Sequence, residues 1–156
     1  MSATAERQAS DPTQIEELRQ HHIGRLFLQA QRSFSERSIA KLRGRGHAGL
    51  GLAHTLLLIH LDLSGTRITT LAERAGITKQ AMGQLADDLE GQGYVARATD
   101  PTDRRAMLLS FTERGWEFLR DAHHVKREIE AEYIALLGEA RWAALGEALR
   151  LIVAHD

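Results

Sequence analysis

The order of local signals between Ile68 and Gly115 constrains this chain more than any other feature. The stretch reads ITTLAERAGITKQAMGQLADDLEGQGYVARATDPTDRRAMLLSFTERG. Thr69 is placed to cap a short helix over Thr70–Ala75, and Gly76 supplies the left-handed stop. Thr78 caps a second helix that runs to Gln92, and Gly93 ends it. Two apolar runs with strand character follow, Tyr94–Ala98 and Ala106–Phe111, joined by a loop over Thr99–Arg105. Pro101 and the flanking aspartates favour a tight turn there.

Helix, glycine turn, helix and β-hairpin in this order are the sequence form of a winged helix-turn-helix. Such a unit has one common physical use. It sets a helix into the DNA major groove and a basic loop against the neighbouring minor groove.

The flanks read as long helices. Asp11-Pro12 is a helix-start signal, with Gln14 three residues after Asp11 as in a capping box. Ile15, Leu18, His22, Leu26, Ala30 and Phe34 recur at helical spacing, which predicts a first helix to Arg43. Four glycines within Gly44–Gly51 end it. Leu52–Leu63 predicts a short helix, apolar on most sides and so buried from several directions; Ser64-Gly65 closes it. Thr66–Ile68 can form a short strand. Thr112 caps a helix to Leu137, Gly138 breaks it, and Glu139–Ala154 is the last helix.

The expected fold is mainly α, an α+β winged helix. It has six helices and a small antiparallel β-wing, with three helices forming a dimer interface. Residues 1–10 are expected to be a disordered N-terminus. Residues 11–45 and 116–156 are expected to be dimerisation helices, and 50–115 the winged helix-turn-helix DNA-binding unit.

Helical projection separates two faces of the second short helix. Advancing about 100° per residue from Met82 puts Leu85, Ala86 and Leu89 within about 60° of it, on the core side. Gln80, Gly83, Gln84 and Asp87 fall opposite. Thr78, Lys79 and Gln80 make the first turn, where a recognition helix meets base edges and its dipole favours phosphate. Gln pairs with adenine through two hydrogen bonds, and Lys donates to guanine or phosphate. A mid-helix glycine such as Gly83 costs about 1 kcal/mol relative to alanine, and on the outward face it permits close backbone approach to a partner. Arg97, Arg104 and Arg105 gather on the strand and loop; an arginine at a hairpin tip suits a narrow minor groove, and Asp103 can brace one of them. With Thr69 on the preceding helix, these residues are the candidate DNA-binding set.

Composition narrows the alternatives. At 43% hydrophobic residues the chain has material for a core. Its longest apolar run, Leu56–Leu61, is interrupted by His60 and is too short to cross a bilayer, so no membrane partner is expected. The opening MSATAERQAS has no apolar core, so no export signal and a cytoplasmic location are expected. There are no cysteines, which removes disulfides, thiol nucleophiles and cysteine-ligated metals. The net charge of −1 counts mildly against a nucleic-acid partner, since a basic surface must then be local.

The region Leu71–Gly115, with Asp103 and Arg105 as an Asp-x-Arg wing and the closing Phe-Thr-x-x-Gly, resembles the MarR family of bacterial transcription regulators. The resemblance implies a homodimer built from the first helix and the last two. It implies that Arg105 enters the minor groove and that positions 78–84 face the major groove. It also implies a small-molecule effector, often an anionic aromatic compound, bound between the dimer helices and the winged unit. Candidates for that pocket are Phe27, His54, Leu58 and Trp116. One departure is Gln84, where many members carry Arg, so base preference does not transfer.

The residues add their own support for a dimer. Phe118, Ala122, Val125, Ile129, Tyr133 and Leu136 form a stripe longer than a small wing domain covers. Trp142, Leu145, Leu149 and Ile152 form a second. The competing reading folds these helices back on the Leu18–Phe34 stripe within one chain. A two-fold dimer presents two reading helices to a palindromic site, and a lever through Thr112 and Gly44–Gly51 lets an effector change their spacing.

Other functions were weighed against this one. The pairs His21-His22 and His123-His124, with Glu128, raise a metal-sensing regulator, although adjacent residues point to different sides of a helix. No metal ligand set or cofactor is therefore assigned. No glycine-rich phosphate loop, His-Glu-x-x-His motif or readable triad supports an enzyme. A winged helix that binds protein instead of DNA is the remaining alternative, favoured only by Asp87 and Asp88.

Overall fold

The computed structural model describes residues 22–101 and 103–155, the side chains of Arg104 and Arg105 excepted. The expectations for residues 1–10, for the helix start at Asp11-Pro12, and for Gln14, Ile15, Leu18 and His21 lie outside the described residues. Contacts divide the chain into two units after Ser35.

In the first unit the described residues open helix α1, Ile23–Gly44. The sequence predicts a helix passing straight through His22, but among the described residues α1 begins after it. The His22 carbonyl accepts from Arg25 N at 2.9 Å, and its Nδ1 accepts from Gly24 N at 3.1 Å. The imidazole thus satisfies one of the amides that every helix start leaves open. Ile23, Leu26, Phe27 and Leu28 are all exposed.

The second unit contains the rest of α1, then α2 (Leu52–Leu58), β1 (Thr66–Arg67), α3 (Ile68–Ala75) and α4 (Lys79–Gly91). After these come β2 (Val95–Asp100), β3 (Asp103–Phe111), α5 (Glu113–Leu137) and α6 (Glu139–Val153). Among the described residues this gives six helices and one antiparallel sheet in the order β1-β3-β2. Leu57 of α2, Leu71 of α3, Met82, Ala86 and Leu89 of α4, Val95 of β2 and Leu109 of β3 are at most 1% exposed. Each large apolar side chain so buried contributes about 1.5–3 kcal/mol, against about 1 kcal/mol for a helix cap. Packing therefore holds the winged unit together, and the caps set where its helices begin.

Those caps are mostly the expected ones. Thr78 Oγ1 accepts from Ala81 N, and Thr112 Oγ1 accepts from Gly115 N. Gly76 has φ +65°, and Ile77 N returns to the Ala72 carbonyl at 3.1 Å, closing α3 with a left-handed residue. Thr69 departs from expectation. Arg67 is still paired with Leu108 in the sheet and is also the N-cap of α3, so the helix starts two residues earlier and Thr69 lies inside its first turn.

Helix α2 ends at Leu58 instead of Leu63. Arg74 of α3 donates to the His60 carbonyl and to Asp62 Oδ2, both at 2.9 Å, while Asp62 N donates to Thr66 Oγ1. These bonds turn the chain toward β1. Its surroundings also differ, since Leu52, Leu56, Ile59 and Leu63 are exposed.

The wing strands are longer than predicted. Asp100 pairs with Asp103, so the connection shrinks to Pro101 and Thr102, of which Thr102 lies outside the described residues. Arg104 and Arg105 therefore belong to β3, next to the turn, and not to a loop.

Much of the long-helix stripe is covered within the chain. Phe118, Val125 and Ile129 are buried within the chain, as are Ile39 and Leu42 of α1; only Leu136 stands well exposed. Charge pairs fix the register. Arg37 binds Glu132, Lys41 binds Glu128 and Glu132 at 3.3 and 3.0 Å, and Arg45 binds Glu128 and, at 3.5 Å, Asp121. The rising and falling numbers make this half of α1 and α5 antiparallel. Unpartnered surface lies instead on α6, which has no buried residue although Leu145, Leu149, Leu151, Ile152 and Val153 lie along it.

Two outcomes follow from this packing. A Cβ on Gly115 would overlap the Tyr94 carbonyl oxygen and stand 2.9 Å from the Phe111 ring. Gly115→Ala should therefore cost about 1–3 kcal/mol in urea unfolding. The hydrogen bond from Lys41, and then the charge of Arg45, hold the Glu128 carboxyl below its ordinary 4.5. A depressed carboxyl stabilises the fold above its unfolded pKa, and that contribution disappears as pH falls through the folded value. Glu128→Gln should flatten the acid side of the urea-midpoint profile measured between about pH 6 and about pH 3.

Candidate nucleic-acid interface

One face of α4 is fixed and the other is free. Met82, Ala86 and Leu89 have no exposure, while Thr78, Lys79, Gln80 and Gln84 are exposed. The Lys79, Gln80 and Gln84 side chains hold no hydrogen bond or ion pair with any described residue. Four polar groups, two of them glutamine amides, thus stand on the first turns of a helix whose opposite face cannot move without opening the core. Gly83 lies among them, and a Cβ added there would meet nothing within 4 Å. Thr69 is exposed on α3.

The basic residues behave differently from one another. Arg97 leaves β2 and turns back to α4, where its guanidinium binds Glu90 and, at 2.6 Å, Asp87 Oδ1. Its backbone N donates to Glu90 Oε1 at 3.0 Å. Burial works against the charge, but the bonds to Asp87 and Glu90 outweigh it and raise the guanidinium pKa further. Arg97 therefore ties the wing to the reading helix. Arg104 and Arg105 lie on β3 and their side chains fall outside the described atoms, so their convergence with the α4 face has no side-chain geometry here. The bracing residue Asp103 approaches Arg67 Nη2 at 3.6 Å.

Arg67 and Asp100 are functional-looking residues that sequence reasoning missed. Asp100 is 5% exposed, and its Oδ2 accepts from Arg67 Nε at 2.9 Å and Nη2 at 2.6 Å. The bond from Asp100 raises the Arg67 pKa. Thirty-three positions separate the pair, and no local pattern joins them.

The pocket candidates have different local surroundings. His54 is buried, accepts from Gly51 N at its Nδ1 and so donates from Nε2 to Asp88 Oδ2 at 3.2 Å; it fastens α2 to α4. Leu58 is core, Trp116 is 37% exposed beside Phe111, and Phe27 is exposed in the first unit. An open cleft of about 670 Å³ lies elsewhere, lined by residues including Arg45, His47, Arg114, Arg120 and Asp121. Of the histidine pairs, His123 and His124 are exposed with rings 6.2 Å apart, and His22 serves α1 as described. Among the described residues no three His, Asp or Glu gather as metal ligands.

Known proteins share this arrangement of helices and wing. The MarR family model matches residues 48–106, which span α2, the helix pair and most of the wing. Over these residues the chain is similar to the MarR family. An HTH-type transcriptional regulator of Mycobacterium bovis is 32% identical over 84 residues, 54% of this chain and 59% of that protein. The repressor MdtR of Bacillus subtilis is 29% identical over 92 residues, 58% of this chain and 59% of its own length. The chain thus spans about 59% of the length of these curated relatives. A solved structure of the transcriptional repressor CouR bound to a 23-mer DNA duplex superimposes with a TM-score of 0.67 at 25% identity. It covers 87% of this chain and 95% of that one. These relatives are named as regulators and not as enzymes. No helix among the described residues is long and apolar enough to cross a membrane.

The open space at Gly83 yields a two-sided prediction. Gly83→Ala should raise stability by about 0.5–1 kcal/mol, because helical alanine is favoured over glycine and nothing obstructs the methyl. The same variant should bind duplex DNA more weakly if the α4 backbone approaches the groove floor. Paired urea and gel-shift measurements check both halves.

Proposed function

We propose that this chain is a cytoplasmic DNA-binding transcription regulator of the MarR family, a repressor, that acts as a homodimer on a palindromic operator and is released by a small-molecule ligand. The observation that carries the reading is the exposed polar face of α4, where Lys79, Gln80 and Gln84 hold no bond to any described residue, opposite the buried Met82, Ala86 and Leu89. In this reading Lys79, Gln80 and Gln84 meet the major groove, with Thr69 and Thr78 beside them. Arg104 and Arg105 on β3 meet the minor groove and adjacent phosphates. Arg97 holds the wing to α4. The relationship to CouR, whose structure contains a DNA duplex, supports the same assignment.

Residues 50–115 form the DNA-binding unit in this proposal, and 11–45 with 116–156 form the dimerisation helices. Support for pairing comes from α6, an apolar helix with no buried residue. The ligand, of the anionic aromatic class, acts by preferring a DNA-incompetent spacing of the two reading helices, which needs a coupling of ~1–3 kcal/mol. The protein-binding alternative weakens because Asp87 is bonded to Arg97 and Asp88 to His54.

A salt titration of duplex binding, run beside sedimentation at micromolar protein, tests the reading. With Lys79, Arg104 and Arg105 from two protomers on phosphate, log K should fall with log salt at a slope of roughly −5. Gln80→Ala or Gln84→Ala should lower discrimination between a selected and a random duplex by about 1–3 kcal/mol. A salt-independent weak interaction, or a chain that stays monomeric on DNA, would overturn it.

A further inference from the structure

The wing has an unusual support. Strand β1 pairs only with Leu108 and Leu109 of β3. From Met107 to the turn, β3 has β2 as its sole partner among the described residues, which leaves a two-stranded ribbon of the kind that is marginal by itself in water. Arg104 and Arg105 stand on that ribbon. Arg67 lies opposite Leu108, and Leu108 lies opposite Ala98, so Arg67 starts on the far side of β3 from Asp100. Its guanidinium nevertheless crosses the width of the sheet and donates twice to one oxygen of Asp100, near Asp103 on the other side of the turn. A carboxylate at the tip of a hairpin ordinarily sits in water, yet Asp100 is buried. Arg67 is also the N-cap of α3, so the far end of the wing is fastened to the start of the helix pair. Arg97 fastens the middle of β2 to α4.

We propose that Arg67 and Asp100 are positioning residues for DNA engagement: their clamp holds the tip of the wing so that the arginines on β3 reach the duplex. This inference rests on the DNA-binding reading above. It makes a prediction opposite in sign to simple electrostatics. Removing an acidic charge from a surface that faces phosphates should strengthen binding by Coulomb attraction alone. Loss of the clamp should weaken it, because the ribbon then samples orientations that miss the groove.

The test uses the full chain and a duplex that the wild-type chain enriches from a random-sequence pool. Asp100→Asn should bind that duplex about tenfold more weakly while remaining folded by circular dichroism. On an Arg105→Ala background the same substitution should cost less than about twofold, since a wing that no longer contributes cannot be misplaced. Arg67→Lys, which keeps the charge but not the double donation, should fall between wild type and Arg67→Met. In the free protein, hydrogen exchange should quicken at the β2 and β3 amides near the turn and stay unchanged in α4. Asp100→Asn binding as tightly as wild type, equal losses on both backgrounds, or unchanged exchange in the wing would each overturn the clamp. Failure of the wild-type chain to enrich any duplex would instead remove the DNA-binding reading, with the exchange result still judging the clamp itself.

Discussion

Tyr94 has no exposure to solvent, and the main parts of the second unit meet on it. Its backbone N closes the end of α4 on the Leu89 carbonyl, and its own carbonyl accepts from Thr112 N at 3.1 Å, where α5 begins. Its ring packs edge-on against Phe118 and tilted against His47, and Arg114 lies 4.7 Å over its face. A buried phenol without a partner costs about 1–3 kcal/mol. Here the hydroxyl bonds His47 Nδ1 at 3.0 Å, and the other imidazole nitrogen bonds Asp121 at 3.1 Å. One side chain thus joins the reading helix, the wing, the loop after α1 and the long helix α5. The orientation of the α4 face depends on this joint.

Local signals carried well from sequence to structure. Gly76, Thr78, Thr112 and Gly138 mark boundaries because each acts through a bond or a dihedral within a few residues of itself. The two faces of α4 were legible for the same reason: a period of about 3.6 is a property of the helix alone. Thr78, Lys79, Gln80 and Gln84 accordingly stand exposed together. What failed was non-local. Whether Phe118, Val125 and Ile129 face solvent or core depends on where α1 lies, and no periodicity states that. Leu52, Leu56, Ile59 and Leu63 were misplaced by the converse error, since apolar character does not by itself bring a neighbour. The Arg67–Asp100 bond arises only once β3 has brought β1 and β2 into one sheet.

Charge placement explains how a chain of net charge −1 still keeps an exposed cation on α4. Many of its cations are already committed. Arg97, Arg67, Arg74, Lys41 and Arg45 each face carboxylates of the same chain. Exposed pairs of this type contribute about 0–1 kcal/mol each, so their main effect is orientational. Lys79 stands apart from them, at the positive end of α4 with no partner among the described residues. Counting charges over the whole sequence misses this division between cations that brace and cations that remain available.

Helix α6 carries a consequence for the stability of the last part of the chain. Its first turns are held by the Trp142 indole, which bonds Glu130 at 3.1 Å and stacks on Tyr133. Beyond Leu145 the large apolar side chains are 39–73% exposed, and a helix of this length is marginal without a tertiary partner. Integrity of the C-terminal segment therefore scales with whatever covers it, by mass action.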